Sequence, residues 1–177
     1  MRVTKTDWID TGLLLLEQEG HQAVSAEKLA RRLGVTRGSF YHHFGNTDEF
    51  TDALLQRWFS GHTIDMMAQA HHPSPHQELE NLIELTFTMS IDLENAIRAW
   101  ARTNPRVAEV MARVEQIRIA KLETLYTLIS GDAAKGKVFA QIAYYGLVGA
   151  AHAMPPLDNS SLRRVVTDVQ TLMMSSL

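Results

Sequence analysis

Residues Ser25 to Phe50, SAEKLARRLGVTRGSFYHHFGNTDEF, constrain this chain more than any other stretch. Ser25 is a good N-cap, and Ala26, Leu29, Ala30 and Leu33 recur at helical spacing, which gives a short helix one apolar face. Gly34 ends that helix, and Thr36 can cap another over Arg37 to Phe44. Phe40 and Phe44 lie four apart and anchor this second helix inward, so Gly38, Ser39, Tyr41 and His42 point away. Two short helices across a tight glycine turn are a device for entering the DNA major groove. The plainer alternative is an ordinary corner inside a helical bundle. The shortness of the second helix and its Gly, Ser, Tyr and His surface, in place of a Lys/Glu solvation face, argue against that alternative.

The rest of the chain also has helical period, without strand-like alternation. The pattern predicts a first helix over Lys5 to Glu19 with Trp8, Ile9, Gly12, Leu13 and Leu16 buried, closed by Gly20. Asn46 can cap a fourth helix, with Glu49 three residues on as in a capping box, and that helix continues to about Ala70. His71 to His76, HHPSPH, breaks it with two prolines and marks an elbow. Longer helices follow at about Gln77 to Thr103 (kinked or broken near Asp92), Pro105 to Ser130, Asp132 to Ala153 and Ser160 to Ser175. An all-α fold is expected.

Charge decides how such a head can meet DNA. The net charge is −3, and residues 1–58 carry seven Lys/Arg against eight Asp/Glu. The chain is no generic polycation, so any DNA affinity needs its basic groups gathered on one face. Lys28, Arg31, Arg32 and Arg37 offer that cluster, provided the acids Asp7, Asp10, Glu17 and Glu19 face elsewhere.

Catalytic and metal chemistry find little footing. The 177 residues include no cysteine, which excludes disulfides and thiolate metal sites. The prolines within His71 to His76 deny His72 and His76 a shared helical face, and the adjacent His42 and His43 point about 100° apart on a helix. No Ser–His–Asp order, Walker loop or dinucleotide fingerprint is present, and the GLVG at Gly146 to Gly149 lies inside an apolar helix. We therefore expect no catalytic residues, no metal and no cofactor. The apolar run Leu13 to Leu16 is too short to span a bilayer, and residues 1–10 lack a signal-peptide core, so a cytoplasmic location without membrane association is expected.

In the helix at Lys137 to Met154, the small residues Ala143, Gly146, Gly149, Ala150 and Ala153 let a neighbouring helix approach closely. With Leu162, Val165, Val166, Val169, Leu172 and Met173 of the last helix, it can supply half of an intermolecular four-helix bundle, or else pack tightly within one subunit.

The run LARRLGV (Leu29 to Val35), the segment TRGSFYHHF (Thr36 to Phe44) and the following GNTDEF resemble the TetR family of bacterial transcriptional regulators. The resemblance implies a three-helix DNA-binding head at residues 1–46 and a helical ligand-binding and dimerisation body at 47–177. It places Tyr41 and His43 at phosphate-contacting positions. Arg37, Gly38, Ser39 and His42 fall where bases or backbone are touched, and Arg37 suits bidentate pairing to guanine. Thr36 sits at a helix N-terminus, which favours a phosphate. Thr47 stands where the family commonly has lysine, so a hydroxyl replaces a charge there.

The resemblance also implies a homodimer through the last two helices, reading a palindromic double-stranded operator with half-sites ~34–36 Å apart. It implies a small-molecule effector in the body, mostly apolar or aromatic, with Met66, Phe87, Met89, Trp100, Tyr126, Tyr145 and His152 as candidate lining, although each also suits plain core. No charged anchor stands out, although Arg98 and Arg102 share the helix of Trp100. The expected activity is transcriptional repression relieved by ligand. The rivals are a helical small-molecule-binding protein that has lost DNA binding, and an enzyme with a cryptic site in the body.

Overall fold

The computed structural model describes residues 3–176. All regular structure among them is helical: α1 (Lys5–Glu19), α2 (Ala26–Leu33), α3 (Arg37–Phe40), α4 (Thr47–Phe59), α5 (Met66–Ala70), α6 (Pro75–Thr86), α7 (Ile91–Ala101), α8 (Pro105–Ser130), α9 (Ala133–Ala151) and α10 (Asn159–Ser175). A 3-10 turn covers His21–Ala23, and a π-helical segment covers Ser60–Asp65. The chain packs as two units. One holds the chain up to Ile64 together with Ser90–Ala112, and the other holds Asp65–Met89 together with the chain from Arg113 onward.

In the first unit α1 is the central post, packed by α2, α4 and α7. Its start is fixed by a full capping box. Thr4 Oγ1 accepts from the Asp7 N–H, while Asp7 accepts from the Thr4 N–H at 2.7 Å. Trp8, Leu15 and Leu16 are fully buried, whereas Ile9 and Leu13 of the expected stripe are only half-buried. The α7 start is held by Ser90, whose hydroxyl accepts from the Leu93 N–H and donates to Glu17 of α1. His21 stacks flat on Trp100, with ring centroids 5.9 Å apart. Arg106 forks across Asp52 and Asp48 of α4, its shortest contact 2.7 Å.

Three expected helices change form. The second of the short pair is helical only to Phe40, and residues 41–43 continue it as a tighter hydrogen-bonded turn. The fourth runs on to Ala70 but widens into the π-helical segment at Ser60–Asp65, where Thr63 is fully buried. The helix expected over Gln77 to Thr103, kinked or broken near Asp92, is broken there into two, α6 and α7. Thr86 and Thr88 turn their hydroxyls onto the carbonyls of Leu82 and Leu85, and Ser90 then caps a new start. Pro75 opens α6 at a position where a missing N–H costs nothing.

The second unit is built around Met66, Ala70, Leu79, Leu82, Leu125, Tyr126, Ala140 and Met173. Burial pushes the Tyr126 phenol well above its ordinary range, and its hydroxyl donates to Gln170 of α10. Gly136 of α9 lies so close to α8 that an added Cβ would sit 2.8 Å from the backbone nitrogen of Thr127. Gly146 and Gly149 face open space instead. On the same helix Val138, Ile142 and Tyr145 are exposed at i, i+4 and i+7, and Leu172 of α10 is 70% exposed. The chain therefore leaves an apolar face on α9 and α10 uncovered.

Glu78 is a buried acid of this unit, 4% exposed. Lys121 pairs with its carboxylate, and His71 Nδ1 lies 3.4 Å away. Desolvation opposes ionisation, but the hydrogen bonds from Lys121 and His71 outweigh it and lower the pKa.

This packing generates two expected outcomes. Gly136→Ala should destabilise the protein by ~1–3 kcal/mol, because helix backbone cannot swing aside as a side chain would; denaturant unfolding measures it. Glu78 has a depressed folded pKa, so its contribution is present above the unfolded value of about 4.3 and is lost as pH falls through the lower folded value. Unfolding midpoints across that acid window should therefore drop more steeply for the wild type than for Glu78→Gln. At neutral pH the variant should be the less stable protein, with Lys121 left unpaired.

Candidate nucleic-acid interface

The short-helix pair is fixed by its ends. Ser25 Oγ accepts from the Lys28 N–H and starts α2. Gly34 adopts φ 68°, a left-handed conformation that suits glycine, and the Val35 N–H returns to the Ala30 carbonyl at 3.0 Å. The Thr36 side chain makes no capping bond. The Ser39 N–H bonds the Thr36 carbonyl at 3.0 Å, which leaves those of Arg37 and Gly38 without a cap.

Aromatic packing orients α3 and the turn after it. Phe40 and Phe44 are buried to within 1% and, with Phe50, their rings meet at centroid distances of 4.9–5.4 Å. Trp8 meets the Phe40 ring edge-on at 5.5 Å. With those two rings inward, Thr36, Arg37, Gly38, Tyr41 and His42 are exposed, while Ser39 and His43 are half-buried. The structure thus brings Thr36 to His43 onto one short segment, as the spacing predicts. His43 lies beside Trp8, 6.3 Å between centroids.

The Tyr41 side chain, one turn on, raises the Arg37 guanidinium pKa, with a smaller pull from Glu27. Thr47 is the exposed first residue of α4. Asn46 Oδ1 accepts from the Glu49 N–H at 2.8 Å, as expected, but the Glu49 carboxylate accepts from Gly45 N–H at 2.7 Å in place of the Asn46 backbone. That bond, followed by the one from Lys5, holds the Glu49 pKa below the usual carboxylate range.

The basic cluster differs from expectation. Glu19 does not face elsewhere: it pairs with Lys28 at 3.0 Å and Arg32 at 3.5 Å. Arg31 pairs with Glu27 at 2.8 Å, and Lys5 pairs with Glu49. Among the described residues of this region, Arg37 is the cation that no carboxylate holds in an ion pair. Sequence reasoning passed over Glu27, although its i,i+4 spacing to Arg31 is a visible pairing signal.

The seven candidate ligand-lining residues fall in both units. Met66 and Tyr126 belong to the second unit's core, with Met89 packed against it. Phe87 is buried under the Arg163 guanidinium, 4.7 Å from its ring. Trp100 belongs to the first unit and stacks on His21. Tyr145 and His152 are exposed, and His152 Nδ1 contacts the Val148 carbonyl at 2.8 Å. Among the described residues no group of three or more His, Cys, Asp and Glu is placed to hold a metal ion, and no helix is long and apolar enough to cross a membrane.

The model of the family described as bacterial regulatory proteins, tetR family, matches residues 9–54. The transposon Tn10 TetC protein of Escherichia coli is 33% identical over 49 residues, 28% of this chain and 25% of that one. The uncharacterized HTH-type transcriptional regulator YwcC of Bacillus subtilis is 37% identical over 54 residues, 30% of this chain and 24% of its own length. The chain thus spans about a quarter of the length of the curated relatives it matches. A TetR transcriptional regulator from Legionella pneumophila has the same fold, with TM-score 0.78 at 13% identity over 97% of this chain and 98% of that chain. Residues 9–54 thus match the model of the tetR family, and the chain shares the fold of such a regulator along nearly its whole length.

Proposed function

We propose that this protein is a homodimeric, operator-binding transcriptional repressor released from DNA by a small-molecule effector. Residues 1–46 read the DNA, and residues 47–177 carry effector binding and dimerisation. The observation that carries the reading is the α3 segment itself. Four helical residues are pinned by Phe40 and Phe44, and Arg37 and Tyr41 stand exposed one turn apart.

Each exposed group has a task. The Arg37 guanidinium offers two parallel donors to a guanine edge. Tyr41 is exposed, and its hydroxyl has a proton to donate to a phosphate. His43 and the free N–H groups behind Thr36 hold neighbouring phosphates, and Gly38, Ser39 and His42 line the approach. Thr47 contributes a hydroxyl at the start of α4, where no lysine charge is available.

The apolar faces of α9 and α10 support pairing of two copies about a two-fold axis, with Gly146 and Gly149 at the close approach. Two heads then match a palindrome one helical turn apart. The effector acts by population shift. It binds better to the conformation whose heads do not fit that spacing, and only this difference in affinity releases the operator. The protein acts in the cytoplasm, without catalysis or cofactor. A second reading, a ligand-binding protein that no longer binds DNA, draws support from the neutralised basic groups of α2.

Selection of bound fragments from genomic DNA by the purified protein tests the two readings together. Recovery of a common palindrome is expected. Arg37→Ala should then lose at least about tenfold in preference for the selected site, and Tyr41→Phe should weaken binding as well. Equal binding by the wild type and both variants removes this reading. Leu172→Asp places a charge on the exposed α10 face and should turn the dimer into a folded monomer in sedimentation, with the helical content of the chain unchanged.

A further inference from the structure

The three cations of α2 are all held by carboxylates, but not in the same way. Lys28 and Arg32 reach back to Glu19 at the end of α1, and Arg32 also donates to Gln18, so these bonds tie α2 to α1. Arg31 bonds within its own helix, to Glu27 one turn earlier at 2.8 Å. Both side chains of that pair are about 70% exposed, and it joins α2 to no other element. Opening it would cost the fold little.

The pair also lies beside the reading segment. Glu27 is the carboxylate that acts on Arg37, the guanidinium at the start of α3. A negative group there meets the phosphate backbone when the head approaches a duplex. Glu27 therefore opposes binding twice: its charge repels phosphates, and it occupies the cation next to it.

We infer that Glu27 keeps Arg31 from phosphates and so lowers the sequence-independent part of the head's affinity for any duplex. This rests on the operator-binding function proposed above. A phosphate contact adds affinity on every sequence, whereas a base contact adds it on one. A head that withholds one cation therefore binds all DNA more weakly, by a similar factor on each sequence. Glu27 also sits in the first turn of α2, where a carboxylate favours the helix dipole. That role alone affects folding and leaves the salt dependence of DNA binding unchanged.

The test compares the wild type, Glu27→Gln and Glu27→Gln/Arg31→Ala on two duplexes, the site recovered by selection and a scrambled sequence of equal length, across a salt series. Thermal unfolding checks that all three are folded. Glu27→Gln should tighten binding to the scrambled duplex and to the selected site by a similar factor. Its log affinity against log salt should steepen by about 2 per dimer, one released phosphate contact per head at about 0.9 each. Its advantage on the scrambled duplex then shrinks by about tenfold between 50 and 200 mM salt. Adding Arg31→Ala should return the slope to that of the wild type. If Glu27→Gln leaves slope and affinity unchanged on both duplexes while the wild type binds its site, the inference about Glu27 is overturned and the operator-binding function stands. If none of the three proteins binds any duplex at low salt, both fall.

Discussion

The candidate DNA-reading surface depends on aromatic packing beneath α3. A helix of four residues has no stability of its own, because nucleation costs more than so few hydrogen bonds return. Phe40 and Phe44 supply what the backbone cannot. Their rings are enclosed by Trp8 and Phe50, so the segment is oriented by its side chains. Phe40 also meets the Tyr41 ring edge-on, 5.2 Å between centroids, which ties the exposed tyrosine to the buried cluster. Residues 41–43 can leave helical geometry without releasing the surface, since the anchors on either side remain fixed.

Most of this was legible in the sequence because it obeys short-range rules. Trp8, Phe40, Phe44 and Phe50 are buried where helical spacing puts them, and Gly34 takes the left-handed turn. The boundaries of α1 and α8 coincide with the expected ones, since a capping threonine or a proline marks each start. Other features depend on competition that no pattern records. Thr86, Thr88 and Ser90 can sit in a helix or bond the local backbone, and here they end one helix and begin the next. Glu49 satisfies Gly45 where a capping box would have satisfied Asn46, a choice between two N–H groups one residue apart. The candidate ligand set illustrates the converse. Aromatic and methionine residues are visible in sequence, but periodicity does not say that Trp100 packs in a different unit from Met66, or that Tyr145 faces outward.

Charge was the least legible property. A count of bases and acids cannot reveal which carboxylate turns toward which cation. Lys5, Lys28, Arg31, Arg32 and Arg57 each have an acidic partner, and these pairs are exposed enough that each adds little to stability. Their effect lies in what they withhold. Counterion release gives a basic protein affinity for any duplex, and a surface that neutralises its own cations gives up much of that gain. In the proposed function, recognition then depends more on geometry, through a few donors held in place, than on net attraction.

That economy bears on why the proposed function needs two copies. A single head with Arg37 as its readily available cation has little sequence-independent affinity to hold it on DNA. Joining two heads makes the second contact intramolecular, so the pair gains from effective concentration what each lacks in charge. The gain persists only while both heads fit their half-sites together. For a strongly basic protein, misplacing one head would leave substantial binding by the other. For this one it should remove most of the affinity. A modest effector-induced change in head spacing can therefore switch occupancy, because so little charge-driven binding remains to mask it.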